Sequence, residues 1–323
     1  MIGITGATGH LGNVIARTLV ARGEPIRMLA RSVDRAKEVG LEQSSVVYGD
    51  LSDDDSLRGC FEGCRTVIHS AAYISVGRDT KALLRTNVDG TNSVIEACRF
   101  AGVGKLITIG SIEAFDLSRP IVGGSGVRLD PDLPMLAYGR SKAIAVNATL
   151  DANDADLATV VISPTAILGP WDFRPSRIGR FVRSFISHRL PAYVRGGFDF
   201  VDVRDVADAC IAAVQSGVAG AHYVVSGTYV DVRRLLELLE RISGVSKPAL
   251  EVPDRIARLF AACSAFVVSV MGGTPLITPA AVKLLSKRIS VTSEFARNDL
   301  RFHARSVDST VADTVAWFRG EMG

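Results

Sequence analysis

The sequence predicts an α/β fold, a doubly wound parallel sheet joined to a smaller, discontinuous and mostly helical second domain. Short apolar runs alternate with helical patterns throughout the N-terminal half. Most of these runs are apolar at every central position, which is typical of parallel strands that helices cover on both faces. The alternation ends after Pro164, where a turn-rich segment begins. Regular alternation of strand, helix and strand indicates a doubly wound sheet.

The elements follow in order along the chain. Strands are predicted at residues 2–5, 25–30, 45–49, 66–71, 105–111 and 158–164. Helices are predicted near 10–22, 80–102, 138–154, 231–243, 253–271, 278–287 and 308–320. The pattern predicts a first domain of residues 1–163 plus about 200–227, and a second domain of about 164–199 plus 228–323.

Composition and charge exclude several classes of protein. The chain has 323 residues, 47% of them hydrophobic, which is enough for a sizeable core. The formal charge is only +3 and the arginines are scattered, so we expect no nucleic-acid partner. The five cysteines are odd in number and lack paired spacing, which predicts no metal site and favours a reducing compartment. No signal-peptide pattern is visible, so a cytoplasmic location is expected.

One long segment carries no charge. Residues 259–282 contain no Asp, Glu, Lys or Arg, a length that raises the question of a membrane span. Two glycines and two prolines interrupt the segment, and its unbroken apolar part is too short to cross a bilayer. We expect a buried helix that lines an apolar pocket, rather than a membrane contact.

A glycine loop follows the first strand. The segment TGATGHLG places Gly6, Gly9 and Gly12 three apart, between a strand and the start of a helix. One glycine permits the tight turn, one lets the backbone approach a pyrophosphate, and one lets the helix pack against the sheet. The helix N-terminus supplies amide donors and a positive dipole. The loop therefore predicts a dinucleotide site, whose further members are Thr8, His10 and Leu11.

The end of the second strand indicates which dinucleotide binds. NAD sites usually carry an acidic residue there for the ribose hydroxyls, but this strand ends in Ala30, Arg31 and Ser32. A guanidinium suits the forked geometry of a 2′-phosphate. We therefore expect NADP(H) as the preferred cofactor, with NAD(H) as the alternative. Arg31 is the main candidate ligand, and Ser32 and Arg35 are its candidate helpers.

A tyrosine and a lysine lie four residues apart in the segment YGRSK. This spacing places Tyr138 and Lys142 on one face of the predicted helix. An isolated phenol, with a pKa of about 10, is too weak an acid–base group near neutral pH, and a neighbouring ammonium lowers that pKa. Ketone reduction needs a proton at oxygen as hydride reaches carbon, and a hydroxyl such as that of Ser111 stabilises the developing alkoxide.

These segments together resemble a known family. The combination of TGATGHLG, GDLSD, SAAY, TNVDGTNSVIEACRFAGVGKLITIGSIEAF, YGRSK and SPTAILGP is similar to extended short-chain dehydrogenases/reductases of the NAD-dependent epimerase/dehydratase superfamily. Within that group, GSIEAF and GPWDFRPSRIG resemble the branch that holds dihydroflavonol reductases and 3β-hydroxysteroid dehydrogenases. The resemblance implies a Rossmann-type nucleotide-binding domain.

The resemblance also implies roles for the catalytic candidates. Tyr138 is the expected general acid/base, and Lys142 is expected to hold the nicotinamide ribose and lower the pKa of the phenol. Ser111 is expected to donate a hydrogen bond to the substrate oxygen. Asn87, in TNVDGT, matches a position that holds the active-site helix and relays protons in some relatives, although a simple helix-packing amide is an equal alternative.

Further positions are implied to contact the cofactor. Asp50 and Leu51 are expected to flank the adenine. Ala71 and Ala72 are expected to line the cofactor after the fourth strand. Pro164 and Thr165 are expected beside the nicotinamide carboxamide.

The function expected from these residues is hydride transfer. We expect an NADP(H)-dependent oxidoreductase that interconverts a bulky apolar ketone or aldehyde and its alcohol, in a monomer or homodimer. Aromatic residues of the variable part suit an apolar small-molecule substrate, and arginines near them meet an acidic group or form a solvated face. The aromatic residues are Phe173, Phe181, Phe185, Tyr193, Phe198, Phe260 and Phe266, and the arginines are Arg174, Arg177 and Arg180.

Two other functions stay open at this point. The first is a sugar-nucleotide epimerase or dehydratase with retained NAD, in which Glu113 would be a base. Dehydratases carry a Thr-Asp-Glu run where this chain has Ser111, Ile112 and Glu113, so the partner acid is missing. The second is a cofactor-sensing regulator without catalysis, although Ser111, Tyr138 and Lys142 are all present.

Overall fold

The computed structural model describes residues 1–41, 44–74, 80–133, 135–253, 256 and 288–322. The helix expected near 253–271 lies outside the described residues except at positions 253 and 256, and the helix expected near 278–287 and the uncharged segment 259–282 lie wholly outside them. Within those residues, no helix has the length and the apolar character that crossing a membrane requires.

Strands and helices alternate through the first half of the chain, as the sequence predicts. The strands are β1 (Ile2–Thr5), β2 (Ile26–Ala30), β3 (Ser45–Tyr48), β4 (Thr66–His69), β5 (Lys105–Ile109), β6 (Ile121–Val122), β7 (Gly124–Ser125), β8 (Ala158–Pro164), β9 (Ala166–Leu168), β10 (Ala192–Val194), β11 (Gly197–Asp202), β12 (Ala221–Val225), β13 (Thr228–Asp231), β14 (Leu250–Val252) and β15 (Val291–Thr292). The α-helices are α1 (His10–Ala21), α2 (Val33–Glu38), α3 (Asp54–Phe61), α4 (Thr80–Leu84), α5 (Gly90–Phe100), α6 (Ala137–Asp151), α7 (Arg177–Ile186), α8 (Val203–Ser216), α9 (Val232–Ser243), α10 (Glu294–Leu300) and α11 (Val307–Arg319).

The main sheet has the order β3-β2-β1-β4-β5-β8-β12-β7. Neighbouring strands are parallel, except that β7 pairs with β12 in the antiparallel sense. The chain runs outward from β1 to β3 on one side and from β4 to β12 on the other. The switch point therefore lies between β1 and β4, where open α/β sheets bind their ligands at the carboxyl ends of the strands. The predicted fold class is confirmed.

The chain divides into two compact units. The first comprises Met1–Pro164, Val203–Val225 and Val291–His303, and the second comprises Thr165–Asp202, Ser226–Ser290 and Ala304–Gly323. The bounds near 164, 202 and 226 lie within a few residues of those expected from the sequence. Residues 291–303 differ, because the sequence placed them in the second domain.

Three contacts explain why residues 291–303 join the first unit. Strand β15 pairs in parallel with β6. The ring of Phe295 stacks on that of Tyr223, with centroids 4.9 Å apart. The Tyr223 hydroxyl also donates a hydrogen bond to Asp299 Oδ2 over 2.8 Å. This short segment is held by its packing against β12, which its own sequence does not reveal.

An apolar cluster packs helices α3 and α5 against the sheet of the first unit. The cluster excludes water from one face of β4. It forms because the apolar strand residues pack against the apolar faces of the two helices. The fully buried members include Leu57, Cys60, Phe61, Val67, Val94, Cys98 and Leu106. Burial in this cluster raises the pKa of the Cys60 thiol to about 12.

The second unit has its own small sheet, β13-β11-β9, and its own apolar cluster. Helices α7, α9 and α11 contribute to that cluster. Four aromatic residues that the sequence analysis proposed for an apolar lining lie within or against the cluster, namely Phe181, Phe185, Tyr193 and Phe198. Phe185 is fully buried in the cluster, so it is a core residue.

Candidate active site

The glycine loop connects β1 to α1 through two close backbone approaches. Gly6 has a φ of +76°, and a Cβ there would lie 2.5 Å from the backbone nitrogen of Ala71. A Cβ on Gly12 would lie 2.1 Å from the carbonyl oxygen of Gly6. Neither position accepts a side chain without a shift of backbone. A Cβ on Gly9 would meet only the Gly6 oxygen, at 3.3 Å, so the space beyond Gly9 is open.

The N-terminus of α1 lacks any side-chain cap. Its N-cap is Gly9, and its first turn contains no acidic residue. Helices α3 and α9, in contrast, are capped by the carboxylates of Asp53 and Asp231. Uncapped amides at a helix N-terminus bind anions. Of the other predicted loop members, Thr8 and His10 are half-buried and Leu11 is buried.

Arginines lie after β2 as the sequence predicts, but the two have different environments. Arg31 is exposed, whereas Arg35 is half-buried. One guanidinium nitrogen of Arg35, Nη1, is buried and has no hydrogen-bond partner. Ser32 caps α2 by accepting a hydrogen bond from the Arg35 amide over 3.4 Å. Arg35, which the sequence analysis treated as a helper, thus has the unsatisfied buried donor.

The loop after β3 is held by its own polar groups. The Asp50 carboxylate is exposed and accepts hydrogen bonds from the amide and the hydroxyl of Ser52. Leu51 is buried in the apolar cluster, close to Gly90 at the start of α5. On the neighbouring loop after β4, Ala71 is half-buried and Ala72 is exposed.

Strand β5 leads directly to Ser111. The residue is buried, and its hydroxyl accepts a hydrogen bond from the amide of Glu113 over 3.2 Å, which caps a short 3₁₀ turn. A Cβ on Gly139 would lie only 2.2 Å from the carbonyl oxygen of Glu113. The glycine of YGRSK therefore lets the first turn of α6 pack against this turn, which brings the segments of Tyr138 and Ser111 together.

Tyr138 and Lys142 lie one turn apart on α6, as the spacing predicts. Tyr138 is half-buried in the first turn, and Lys142 is buried. The Lys142 ammonium donates a hydrogen bond to the carbonyl oxygen of Ile109, the last residue of β5, over 2.5 Å. Burial lowers the pKa of Lys142 from its ordinary value to about 8. Lys142 therefore supplies a titratable cation at the carboxyl end of β5.

Asn87 lies in an irregular part of the helical region that the sequence predicts as continuous near 80–102. The structure has α4, a π-helical turn at Arg85–Asp89, and then α5. Such turns are rare and occur frequently at functional sites. The turn buries Asn87, whose amide nitrogen donates hydrogen bonds to Tyr73 O over 3.0 Å and to Ser141 Oγ over 2.9 Å.

The same asparagine therefore ties α6 to the loop after β4. Its Oδ1 accepts a hydrogen bond from the Tyr73 amide over 2.7 Å. The Ser141 hydroxyl donates to the carbonyl oxygen of Tyr138 over 2.8 Å. The Asn87 side chain thus holds both backbone groups of Tyr73 and, through the Ser141 hydroxyl, the carbonyl of Tyr138. Its role as a helix-holding or proton-relaying residue stays a prediction.

A second buried polar side chain, His69 at the end of β4, was not among the residues that the sequence predicted for the site. It is buried, and its two ring nitrogens lie 2.7 Å from Thr5 Oγ1 and 3.1 Å from Thr91 Oγ1. Burial first, and the charge of Lys142 second, lower the pKa of His69 to about 3. The sequence shows a histidine that closes the apolar run TVIH, but it does not show which groups that histidine contacts.

The remaining predicted site residues lie at the end of β8. Pro164 is the last residue of that strand and is buried. Thr165 is buried and is the first residue of the second unit. In the described part of the chain, no three His, Cys, Asp or Glu side chains are arranged to hold a metal ion.

A family model for the NAD dependent epimerase/dehydratase family matches residues 2–226. The chain belongs to that family. Its relatives include sterol demethylase protein B of Methylococcus capsulatus, 33% identical over 98% of this chain and 97% of that protein. A putative dihydroflavonol 4-reductase of Synechocystis is 29% identical over 98% of this chain and 94% of that protein. The predicted extended short-chain dehydrogenase/reductase relationship is confirmed, and so is the prediction of an NAD(P)-dependent enzyme.

Solved structures share the fold of this chain. The structure of gox2253 has a TM-score of 0.83 and 28% identity, and covers 99% of this chain and 98% of that one. The structure of MoeE5 with UDP-glucuronic acid and NAD has a TM-score of 0.77 and covers 99% of both chains. At 22% identity, the likeness to MoeE5 establishes the fold alone.

Proposed function

We propose that this family member is an NADP(H)-dependent oxidoreductase that interconverts a bulky apolar ketone or aldehyde and its alcohol. The observation that carries the proposal is the buried Lys142 ammonium one helical turn from Tyr138, on a helix that Gly139 packs against the Ser111 turn. This arrangement suits a phenol that exchanges a proton with a substrate oxygen.

Tyr138 acts as the general acid in reduction and the general base in oxidation. Below a pH of about 8 Lys142 is charged, and its cation favours the phenolate form of Tyr138. The Ser111 hydroxyl donates a hydrogen bond to the substrate oxygen as negative charge develops there. When bound, the nicotinamide supplies the hydride to carbon or accepts it.

The chain's own groups fit a dinucleotide phosphate. The uncapped N-terminus of α1 and the open space beyond Gly9 would hold the pyrophosphate. The buried, unpartnered Nη1 of Arg35 would meet a 2′-phosphate, with Arg31 and the Ser32 hydroxyl beside it. This orphaned donor supports NADP(H) over NAD(H).

The other site residues keep the roles that the resemblance implies. Asp50 and Leu51 flank the adenine, and Ala71 and Ala72 line the cofactor. Pro164 and Thr165 are proposed to lie beside the carboxamide. We propose a monomer or homodimer in the cytoplasm.

The names of four relatives support a bulky ring substrate. They refer to a sterol, a 3beta-hydroxysteroid, a dihydroflavonol and a dihydroquinoline, whereas other relatives are named for 2-alkyl-3-oxoalkanoates and cinnamoyl-CoA. All four words describe fused-ring compounds. We therefore propose an alicyclic or aromatic carbonyl compound, or the corresponding secondary alcohol, as the substrate class.

A second candidate is a sugar-nucleotide epimerase that retains NAD. Proteins solved in complex with a UDP-sugar and NAD share this fold, and a UDP-glucose 4-epimerase of Streptomyces lividans is 26% identical over 78% of this chain. Glu113, half-buried beside Ser111, is its candidate base. The orphaned Arg35 donor argues for a 2′-phosphate and thus against retained NAD.

A substrate panel distinguishes these candidates. Purified enzyme is mixed with NADPH or NADP⁺ and with steroid, flavonoid and quinoline ketones or alcohols, while nicotinamide absorbance is followed. UDP-glucose and UDP-glucuronic acid are tested in parallel for epimerised product. Turnover of a ring compound that depends on added NADPH supports the proposal. Epimerised sugar without added cofactor, or cofactor binding without turnover of any compound in the panel, contradicts it.

A further inference from the structure

His69 is the centre of a directed chain of buried hydrogen bonds. The Thr91 hydroxyl donates to Asn87 O over 2.6 Å, so its proton is not available to His69. His69 Nε2 must therefore carry the proton and donate it to Thr91 Oγ1. His69 Nδ1 then accepts from the Thr5 hydroxyl, whose oxygen in turn accepts from the Ala71 amide at 3.4 Å. The contacts assign one neutral tautomer to the ring.

The chain of bonds closes on the loop after β4. It begins at the amide of Ala71 and reaches Asn87, and the Asn87 side chain returns to both backbone groups of Tyr73. The segment 71–73 is thus held by hydrogen bonds at both ends, at the Ala71 amide and at the backbone of Tyr73. Thr5, His69, Thr91 and Asn87 are each at most 2% exposed, so water does not compete for these bonds.

We propose that His69 is a positioning residue that sets the loop 71–73 against the helix of Tyr138, and this inference rests on the proposed function. The ring is suited to that task because it joins an acceptor and a donor on opposite sides of one rigid group. Its two halves act on different parts of the site. The Thr5 half holds Ala71 beside the glycine loop, and the Thr91 half holds Asn87, which bonds to Ser141 on α6.

Burial and the nearby ammonium of Lys142 keep the ring neutral. A charged ring would carry a proton on both nitrogens, and the Thr5 hydroxyl would lose its acceptor. The network therefore uses the neutral Nε2–H form near neutral pH.

Two variants of His69 distinguish the Thr5 half of the network from the Thr91 half. His69→Asn keeps a hydrogen-bond acceptor near the position of Nδ1 and loses the donor to Thr91. His69→Gln keeps a donor near the position of Nε2 and loses the acceptor for the Thr5 hydroxyl. We expect His69→Gln and Thr5→Val to raise the Kd of NADP⁺ about tenfold with a smaller change in kcat. We expect His69→Asn and Thr91→Val to lower kcat about tenfold with a smaller change in Kd.

Thr149→Val is the matched control for Thr91→Val. Thr149 is buried on α6, donates to the carbonyl four residues earlier, and has one further hydroxyl partner, Thr108. Unlike Thr91, it lies outside the network that contains His69. The control is expected to lower thermal stability by a similar amount, with kcat and the Kd of NADP⁺ within twofold of wild type. An equal loss of kcat in the control would overturn the positioning role.

Nitrogen NMR of histidine-labelled protein tests the tautomer without any turnover. The signal that disappears in His69→Gln is expected to show a neutral Nε2–H ring that does not titrate between pH 5 and 8. A ring that titrates in that range, or Gln and Asn variants with the same effects on Kd and kcat, contradicts the inference. Because the NMR and Kd measurements need no substrate, they remain decisive if the proposed reaction itself fails.

Discussion

One face of strand β4 borders two buried regions that differ in chemistry. Val67 and His69 point to the same side because side chains alternate along a strand. Val67 lies in the apolar cluster with Phe61 and Cys98, whereas His69 lies two residues further on in the polar network. Helix α5 also passes from the polar network to the apolar cluster, because Thr91 lies one turn before the apolar Ile95.

The two regions are expected to have different roles, the apolar cluster in stability and the polar network in the orientation of groups at the candidate site. Apolar contacts are non-directional, so the cluster stabilises the fold without specifying the orientation of any one group. Hydrogen bonds are directional, and a buried network in which every group is satisfied specifies orientation. Changes in the apolar region are therefore expected to cost stability, and changes in the polar region are expected to cost affinity or rate.

The largest effect is expected at Tyr138. Tyr138→Phe removes the phenolic proton that the proposed mechanism exchanges with substrate, so kcat is expected to fall by about 10²–10⁴-fold. Stability and the Kd of NADP⁺ are expected to stay near wild type, because the ring remains. Steady-state kinetics, thermal unfolding and fluorescence titration check these three quantities. Near wild-type turnover in the variant would show that another group handles the proton.

The apolar region supplies the opposite case. Phe61→Ala leaves a cavity in the cluster and is expected to lower the free energy of unfolding by about 3–5 kcal/mol. The folded fraction is expected to keep the Kd and kcat of wild type. Urea unfolding and kinetics at low temperature measure both. A large loss of kcat in the folded fraction, in addition to the loss of stability, would contradict the distinction between the two regions.

Lys142 is a buried cation, and its contribution to the free energy of unfolding depends on pH. Folding lowers its pKa to about 8, so between pH 8 and its ordinary value the unfolded chain binds more protons. Stability of wild type relative to Lys142→Met is therefore expected to rise with pH across that window, by on the order of 3 kcal/mol. Unfolding at pH 7 and pH 10 measures the difference. If the stability of wild type relative to Lys142→Met is unchanged or falls as pH rises, the lowered pKa of a buried Lys142 ammonium is contradicted.

The smallest expected effect concerns cofactor choice. Arg35→Ala removes the buried guanidinium donor, so the Kd of NADP⁺ is expected to rise about tenfold while that of NAD⁺ is unchanged. Arg22→Ala serves as a control, since this arginine pairs with Asp208 on α8, apart from the segment after β2. Equal weakening for both dinucleotides would remove the assignment of Arg35 to the 2′-phosphate.

Local patterns explain why most of the fold was predictable. Apolar runs predicted the strands of the parallel sheet, and glycine spacing predicted the loop before α1. The π-helical turn at Arg85–Asp89 was not predictable, because five residues are too few to show a change of helical period. The docking of residues 291–303 depends on Tyr223, far away in sequence.

The site was predictable where its residues form a motif. Tyr138, Lys142 and Ser111 follow from short segments, whereas His69 does not. Its bond to Thr5 spans 64 residues, and the bond from Asn87 to Ser141 spans 54. Such pairs form only after the sheet has brought the strand ends together, so no sequence pattern contains them.

Isotope transfer tests the central proposal most directly. The enzyme is incubated with NADPH that carries deuterium at the transferable nicotinamide position and with the ring ketone that turns over in the panel. Mass spectrometry of the alcohol is expected to find one deuterium on the carbinol carbon in wild type, and almost no product with Tyr138→Phe in the same time. An alcohol without deuterium, or equal product from the variant, would contradict the account.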